Sequence, residues 1–337
     1  MLYDKKHIYV RSPLRVSFVG GGTDLESYYS QGIPGHVVSA AIDLYVYVSL
    51  KDMFDANVRA HHAEIETEPI ASRIRHTYIR TALEHFGLFR GVETVLTSDV
   101  MTTGSGLGAS SSTMSALIKG CSLLRKDSDF MDNYELAELT FQLEKTSGTI
   151  GGKQDQYAVV FGGLNSIIFD ESEVTVNPVK ISESRLTEFE KRLFLVFTNM
   201  ARDSKNIQLN LEQNTKTTNT KKYFDSLQKL SHEFLNILES EHGSIDDLGK
   251  LLHDGWLLKK SANQESTNPY IDQLYNTLLE KGIMGGKILG AGGGGFILAF
   301  AKDPGLKEKI KYELYPNFIA LDIKFNFKGT EVLWKNF

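Results

Sequence analysis

The stretch Gly104-Ser105-Gly106-Leu107-Gly108-Ala109-Ser110-Ser111-Ser112 decides the fold of this 337-residue chain. Residues 92–97 before it alternate in period two and predict a strand, and apolar residues at helical spacing over 113–118 predict a helix. The glycines and serines therefore form the loop that opens this helix. Because the first amides of a helix lack internal partners and the helix dipole is positive there, the loop predicts an anion site. Its glycines let the backbone approach a phosphate, and its serine hydroxyls are suitable ligands for Mg²⁺.

Three alternatives compete for this loop. The Walker A pattern requires Lys-Ser or Lys-Thr after the last glycine, and Ala109-Ser110 stand there instead. The Rossmann pattern is nominally met, but it requires a second strand with an acidic residue about 20 residues on. Asp127 and Asp129 lie instead in a polar link between two predicted helices. A glycine turn with a serine helix cap remains the structural alternative.

The composition is that of an ordinary globular protein. Hydrophobic residues make up 41% of the chain and charged residues 23%, and the net charge of -5 without a basic cluster argues against nucleic-acid binding. No signal-peptide core follows Met1, and no apolar run approaches the length of a membrane span. Cys121 is the single cysteine and forms no internal disulfide. We expect a cytoplasmic protein without nucleic-acid or membrane partners, and the oligomeric state stays open.

A first glycine element stands near the start of the chain. Residues 7–19 predict a strand, which ends in Gly20-Gly21-Gly22-Thr23-Asp24 before a short predicted helix, 25–30. Asp24 either caps that helix or accepts hydrogen bonds from the hydroxyls of a sugar.

Two acidic residues occupy helix ends. Helix 133–146 is predicted to carry Glu144 near its carboxyl end, where a carboxylate opposes the helix dipole. Glu144 is therefore either exposed or functional. Asp155 follows a Gly151-Gly152 turn in the first turn of another predicted helix, where the dipole keeps it ionised, and Lys153 stands two residues earlier.

The second half of the chain differs from the first half in its predicted secondary structure. Residues 205–281 predict mostly helices, and the polar run Glu212–Lys222 predicts a mobile lid. A third glycine element, Lys287–Gly295, is followed by a strand over 296–300. A dinucleotide site would require a helix there, so this element predicts a hairpin whose backbone approaches another group closely.

These three elements, residues 13–24, 104–112 and 287–295, occur in the order found in GHMP kinases, and the chain resembles that family over essentially its whole length. The Gly-Gly-Gly-Thr-Asp-Leu form of the first element most resembles the sugar-1-kinase branch of heptose 7-phosphate kinases and L-fucokinases. The resemblance implies an α+β, two-domain fold. A domain like ribosomal protein S5 domain 2 would span residues 1–185 and a ferredoxin-like domain residues 186–337, with the site between them.

The resemblance also implies residue roles. Asp155 falls at the family's catalytic aspartate, Arg15 at the basic residue that faces the transferred phosphate, and Ser110 and Glu144 at the magnesium ligands. Lys153 is a further candidate for offsetting charge on the transferred group. The implied ATP-binding residues are Gly104, Ser105, Gly106, Leu107, Gly108, Ala109, Ser110 and Ser111. The implied acceptor-binding residues are Gly21, Gly22, Thr23, Asp24, Arg202, Gly292 and Gly293.

The implied activity is ATP- and Mg²⁺-dependent phosphorylation of the anomeric hydroxyl of a sugar phosphate. The expected acceptor is D-glycero-D-manno-heptose 7-phosphate, giving the 1,7-bisphosphate for nucleotide-activated heptose and surface polysaccharide synthesis. At least one of Arg202 and Lys153 is predicted to contact the distal phosphate. An L-fucokinase-like kinase of a free sugar and a catalytically inactive sugar sensor are the alternatives. The presence of Asp155, Glu144 and Arg15 together argues against the sensor.

Overall fold

A computed structural model describes residues 5–101, 104–125, 131–149, 151–200 and 218–336. Its strands are β1 (His7–Val19), β2 (Gly35–Asp52), β3 (Val58–His61), β4 (Ile65–Glu68), β5 (Val92–Ser98), β6 (Leu164–Phe169), β7 (Val174–Pro178), β8 (Leu193–Phe197), β9 (Ile283–Ile288), β10 (Phe296–Ala301), β11 (Ala320–Asp322) and β12 (Glu331–Asn336). Its helices are α1 (Glu26–Tyr29), α2 (Thr77–His85), α3 (Ala109–Arg125), α4 (Asn133–Thr146), α5 (Gln154–Phe161), α6 (Glu183–Arg192), α7 (Thr218–Glu239), α8 (Ile245–Ala262), α9 (Pro269–Glu280) and α10 (Pro304–Leu314).

The larger sheet is built from the first half of the chain and its last described strand. Its order is β12-β1-β2-β5-β3-β4, and β6, itself paired with β7, joins the first part of the long strand β2. The β3–β5 pair is parallel, and the other pairs are antiparallel. Strand β1 therefore has a partner on each edge over residues 7–11.

The burial pattern of β1 explains its central position. Side chains alternate between buried and half-buried up to Arg11, and every residue from Ser12 to Val19 is buried. A strand that is covered on both faces has this continuous pattern. Pro13 has no N–H group to donate, and the register with β2 shifts between Pro13 and Leu14.

Helix α3 packs against β1 and β2 in the core of the first half. Met114, Leu117 and Ile118 are fully buried there. Ser112 Oγ also donates to the Pro13 carbonyl over 2.7 Å, and Ser115 Oγ lies 3.0 Å from Ser12 Oγ. Hydrogen bonds as well as apolar packing thus fix the start of α3, where the glycine loop ends, against β1.

The smaller sheet has the order β11-β8-β10-β9, all antiparallel. Trp256 of α8 and Tyr275 of α9 pack with Ile288 and Ile297 of this sheet in one core cluster. Helix α9 begins as its sequence directs, because the Asn268 side chain caps it and proline occupies its first turn.

An aromatic cluster joins the two halves. The ring of Phe18, near the end of β1, lies 5.3 Å from Phe189 of α6, 5.6 Å from Phe234 of α7 and 6.2 Å from Phe325. Phe189 also contacts Phe300 of the smaller sheet, with ring centroids 5.7 Å apart. The strand that leads into the first glycine element is therefore held by residues of both halves.

Most predicted elements are present, with some differences in their bounds. Helix α2 starts at Thr77, where the His76 side chain caps it, and residues 71–73 before it form a 3-10 turn. The short strands β3, β4 and β7 and the helices α6 and α10 were not predicted. The hairpin around the third glycine element is present as the antiparallel pair of β9 and β10.

The proposed division at residues 185 and 186 stays a prediction. Strand β12, which that division assigns to the second domain, pairs with β1 in the larger sheet. The range 186–337 therefore contributes one strand to the first half of the molecule. In the part of the chain that the structure describes, no helix combines the length and apolar character needed to cross a bilayer.

Replacing Phe189 by Ala should strongly destabilise the protein, because its fully buried ring contacts four other aromatic rings. The expected loss in free energy of unfolding is about 3–5 kcal/mol, measured by urea denaturation followed by circular dichroism. Phe54→Ala is the control, since that side chain is 79% exposed and its loss should change little. Equal effects of the two substitutions would show that the cluster does not stabilise the fold.

Candidate active site

A cavity of about 490 Å³ lies where the three glycine elements meet. All three elements contribute to its lining. The lining residues are Gly21, Gly22 and Asp24 of the first element, Gly104, Ser105, Gly106, Gly108, Ala109, Ser110 and Ser111 of the second, and Gly290, Gly292 and Gly294 of the third. Arg15 of β1, Glu144 of α4 and Asp155 of α5 also reach its wall. The fold thus brings together most of the side chains that the sequence singled out.

The second and third elements meet through their backbones. Gly104, Gly106 and Gly108 have φ values of 72, 75 and 73°, a conformation that favours glycine. A Cβ on Gly106 would lie 2.6 Å from the Leu289 carbonyl oxygen, and one on Gly290 would lie 2.8 Å from the Gly106 Cα. Since the loop leads directly into α3, its amides form a cradle suited to an anion.

Arg15 and Asp155 form a two-bond ion pair at the cavity wall. Arg15 Nε and Nη2 donate to the two carboxylate oxygens of Asp155, each over 2.7 Å. Arg15 Nη1 donates to the Gly106 carbonyl over 2.6 Å, so the same guanidinium holds the glycine loop. Arg15 is only 3% exposed, whereas a quarter of the Asp155 side chain remains accessible. This geometry fixes the carboxylate while leaving it open to a ligand.

Glu144 is a buried carboxylate beside the loop. Ser111 Oγ donates to its Oε2 over 2.7 Å, and the Gln156 side-chain amide donates to the same oxygen. Burial raises the pKa of Glu144 to about 7, and hydrogen bonds from Ser111, Gln156 and Ser110 oppose that rise. No cationic side chain pairs with it among the described residues. Glu144 at the end of α4 is therefore buried rather than exposed, and hydrogen bonds stabilise its carboxylate.

The oxygen groups around Glu144 suit a magnesium ion. Mg²⁺ prefers hard oxygen ligands and is usually held by one or two carboxylates together with phosphates of a substrate. Glu144, Ser110 and Ser111 supply such groups at the cavity wall. Within the described ranges, no group of three or more His, Cys, Asp or Glu side chains is placed to hold a metal ion, so phosphate oxygens would have to complete the coordination.

Asp24 joins the first glycine element to the start of α5. Its Oδ1 accepts from the Gly22 amide over 2.8 Å, and its Oδ2 accepts from the Gln154 amide over 3.0 Å. Burial raises the pKa of the Asp24 carboxyl, and these backbone hydrogen bonds oppose the rise. A Cβ on Gly152 would lie 2.0 Å from Asp24 Oδ2, which explains the glycine there. Asp24 thus positions Gln154 and Asp155, besides its predicted role toward a sugar.

Four of the predicted site residues that the structure describes do not line the cavity. Lys153 Nζ bonds Glu138 over 2.9 Å and lies 5.0 Å from the centre of the Phe141 ring, so the structure offers no support for its predicted phosphate contact. Arg202 and residues 212–217 of the predicted lid lie outside the described residues, whereas residues 218–222 of that run belong to helix α7. The other three act elsewhere: Thr23 bonds the Gly20 carbonyl, Leu107 is buried in the core, and Gly293 donates to the Ser266 carbonyl.

Three lysines that the sequence did not assign to the site line the cavity: Lys145, which is exposed, and Lys259 and Lys287. Lys287 of β9 donates to the Phe18 carbonyl over 3.0 Å, and Lys259 of α8 donates to the Gly290 carbonyl over 2.5 Å. Burial within the cavity lowers the pKa of Lys287 to about 8 and that of Lys259 well below its usual value. Lys287 begins the third glycine element and could have been considered, whereas Lys259 lies in no motif.

Comparison with protein families gives two matches. Residues 72–163 match the model described as GHMP kinases N terminal domain, and residues 234–319 match the model described as GHMP kinases C terminal. Together they account for more than half of the chain, one on each side of the proposed domain division.

Similar proteins come from several organisms. A D-glycero-alpha-D-manno-heptose 7-phosphate kinase of Campylobacter jejuni is 29% identical over 314 residues, covering 89% of this chain and 90% of the relative. A bifunctional fucokinase/GDP-fucose pyrophosphorylase of Arabidopsis thaliana is 27% identical over 93% of this chain, which spans only 32% of that relative. The crystal structure of a D-glycero-D-manno-heptose 1-phosphate kinase from Bacteroides thetaiotaomicron aligns over 99% of both chains with a TM-score of 0.77 and 22% identity.

Replacing Glu144 by Gln should stabilise the metal-free protein in a pH-dependent manner. Burial raises the pKa of Glu144 from 4.5 to about 7, so ionisation destabilises the folded state as the pH rises between these values. The amide oxygen can still accept the bonds from Ser111 and Gln156. At pH 8 in EDTA the variant should exceed the wild type by on the order of 2 kcal/mol in free energy of unfolding, and at pH 5 the difference should be small.

Glu135→Gln is the matched control, because Glu135 is exposed on the same helix and glutamine preserves its capping role. Its stability relative to the wild type should not rise with pH. A Glu144→Gln difference that stays constant from pH 5 to pH 8 would contradict the buried charge.

Proposed function

The chain belongs to the GHMP kinase family, and on that premise we propose that it transfers the γ-phosphoryl group of ATP to the anomeric hydroxyl of D-glycero-D-manno-heptose 7-phosphate. Its fold is the two-domain, mixed α and β fold of that family, as predicted from the sequence. The ion pair of Arg15 and Asp155 beside the glycine loop is the observation that carries the proposed chemistry.

The glycine loop binds the nucleotide phosphates in this proposal. Its amides and the amino end of α3 lie at the cavity wall. Phosphoryl transfer requires positioning and charge neutralisation more than covalent chemistry by the protein. The backbone cradle positions the nucleotide phosphates, and Arg15 supplies positive charge close to the phosphoryl group that is transferred.

Asp155 acts on the acceptor hydroxyl. Its two bonds to Arg15 fix the carboxylate, while its accessible edge faces the cavity. A carboxylate so placed orients the anomeric hydroxyl and accepts its proton as the oxygen bonds to phosphorus. The hydroxyl oxygen gains the phosphoryl group, and ADP leaves.

Glu144 and Ser110, with Ser111 beside them, would hold the magnesium ion. Bound there, Mg²⁺ would neutralise charge on the β- and γ-phosphates. The raised pKa of Glu144 supports this role, since a buried carboxylate without a cation gains most from one.

The choice of a sugar phosphate rests on the relatives. The Campylobacter jejuni heptose 7-phosphate kinase matches this chain over nearly the full length of both. The fucokinase relative matches over only 32% of its own length. The heptose phosphate is therefore the favoured acceptor, and a free sugar such as L-fucose is the rival.

An acceptor screen tests the proposed function. The purified protein, ATP and Mg²⁺ should phosphorylate D-glycero-D-manno-heptose 7-phosphate faster than L-fucose, galactose or the free heptose. Release of ADP measures the rate, and phosphorus NMR should place the new phosphate on the anomeric carbon. Preference for L-fucose would replace this proposal with a fucokinase-like one, and no turnover of any sugar would support an inactive sensor.

Replacing Asp155 by Asn should remove most of the turnover while leaving ATP binding nearly intact. The neutral amide retains the shape but cannot accept the proton, and such contacts contribute roughly 10²- to 10⁴-fold in rate. Steady-state kcat and the dissociation constant for ATP measure the two effects. Asp170→Asn, in an exposed turn, is the control and should retain the wild-type rate. A near-normal kcat for Asp155→Asn would exclude the assigned role.

A further inference from the structure

The positive charges of the cavity are not all balanced. Among the described residues, the cationic side chains that line it are Arg15, Lys145, Lys259 and Lys287. Arg15 is paired with Asp155, and Lys145 is an exposed side chain whose Nζ lies 3.9 Å from Glu26. Lys259 and Lys287 bond only carbonyl oxygens within the described part of the chain. Two ammonium groups therefore face the cavity without a carboxylate.

Neighbouring cations act on both of these ammonium groups. The pKa of Lys259 is lowered first by burial and then by the charges of Lys287 and Arg15, and the pKa of Lys287 is lowered by burial and by Arg15. Cations that repel one another in a recessed wall favour an anion as their common partner. A phosphate dianion supplies two negative charges and several acceptor oxygens.

The nucleotide phosphates have other partners. The loop amides, the amino end of α3, Arg15 and the oxygen groups around Glu144 serve them in the proposed function. Lys259 and Lys287 come from α8 and β9, elements that pack together in the second half of the chain. Lys259 and Lys287 are thus available for a second phosphate, separate from those of ATP.

Lys287 also lies on the side of the cavity predicted for the acceptor. Its bond to the Phe18 carbonyl places it where β1 runs into the first glycine element. The neighbouring Ser17 hydroxyl is buried without a hydrogen-bond partner among the described residues, and so is Gln154 Oε1. Both atoms lie 3.3 Å from the position of a Cβ on Gly21. These atoms offer partners for sugar hydroxyls next to the lysine.

We propose that Lys259 and Lys287 form the subsite for the distal phosphate of the acceptor, the phosphate that is not transferred. This inference rests on the proposed function and gives it a physical basis, because it explains why a phosphorylated sugar would be preferred over a free one. It replaces Lys153, whose amine pairs with Glu138, as the contact of that phosphate.

The test compares two acceptors that differ only in the distal phosphate. Lys287→Met and Lys259→Met remove the charge and retain an unbranched chain. Each should lower kcat/KM for D-glycero-D-manno-heptose 7-phosphate by about 10- to 100-fold, through KM, and leave KM for ATP and kcat/KM for the free heptose unchanged. Calorimetry without nucleotide should show the same loss in affinity for the 7-phosphate. Lys287→Arg should restore part of it.

Lys260→Met is the matched control. Lys260 is the next residue on α8, pairs with Asp272 and does not line the cavity. Its variant should keep the wild-type preference for the 7-phosphate. Circular dichroism melting of each variant shows whether it is folded.

The outcomes separate the two proposals. A wild type that prefers the 7-phosphate, with lysine variants that keep this preference, overturns the subsite alone. Equal losses of kcat for both acceptors also overturn it, since the lysines would then act on the transferred phosphoryl group. A wild type without a preference for the 7-phosphate overturns the proposed function and the subsite together.

Discussion

The site depends on one close contact between backbones, at which the loop around Gly106 meets the Leu289–Gly290 segment with no room for a side chain. The two segments come from distant parts of the chain and are carried by different sheets. Their contact closes the cavity on one side and places the β9–β10 hairpin beside the anion cradle. Arg15 reaches the same point, since its guanidinium bonds the Gly106 carbonyl. A substituent at Gly106 would therefore disturb the cradle, the hairpin and the ion pair together.

The site accumulates charge that the fold does not fully compensate. Asp24 and Glu144 are buried carboxyls with raised pKa values, and Lys259 and Lys287 are amines with lowered ones. Each shift means that the charged form is less stable in the folded protein than in water. The acids lie on the elements of the first half and the amines on those of the second. Ligands that carry both a metal ion and phosphates would relieve both sets of charges, which suits a site for phosphate esters.

The sequence predicted the elements that local patterns determine. The predicted bounds of β1 (7–19) and α4 (133–146) agree with the structure, and the Asp132–Glu135 capping box shows why α4 begins where it does. The pairing of Arg15 with Asp155 required the fold, because 140 residues separate them. The partner of Lys153 also required the fold: proximity in sequence to Asp155 does not determine the direction of its side chain, which pairs with Glu138. Lys259 has no local signal, since only the packing of α8 brings it to the cavity.

The pairing of β12 with β1 has a consequence for how the protein is made. Residues 331–336 leave the ribosome after every other described strand, yet they complete the edge of the strand that carries Arg15. Until then the first residues of β1 present unpaired amides and carbonyls, which is a surface that other chains can pair with. The nascent protein therefore passes through a stage in which both halves are synthesised but the sheet is open. Chaperone binding during translation would be most useful in that interval. Measuring how chaperone binding depends on the length of the nascent chain would reveal this open stage.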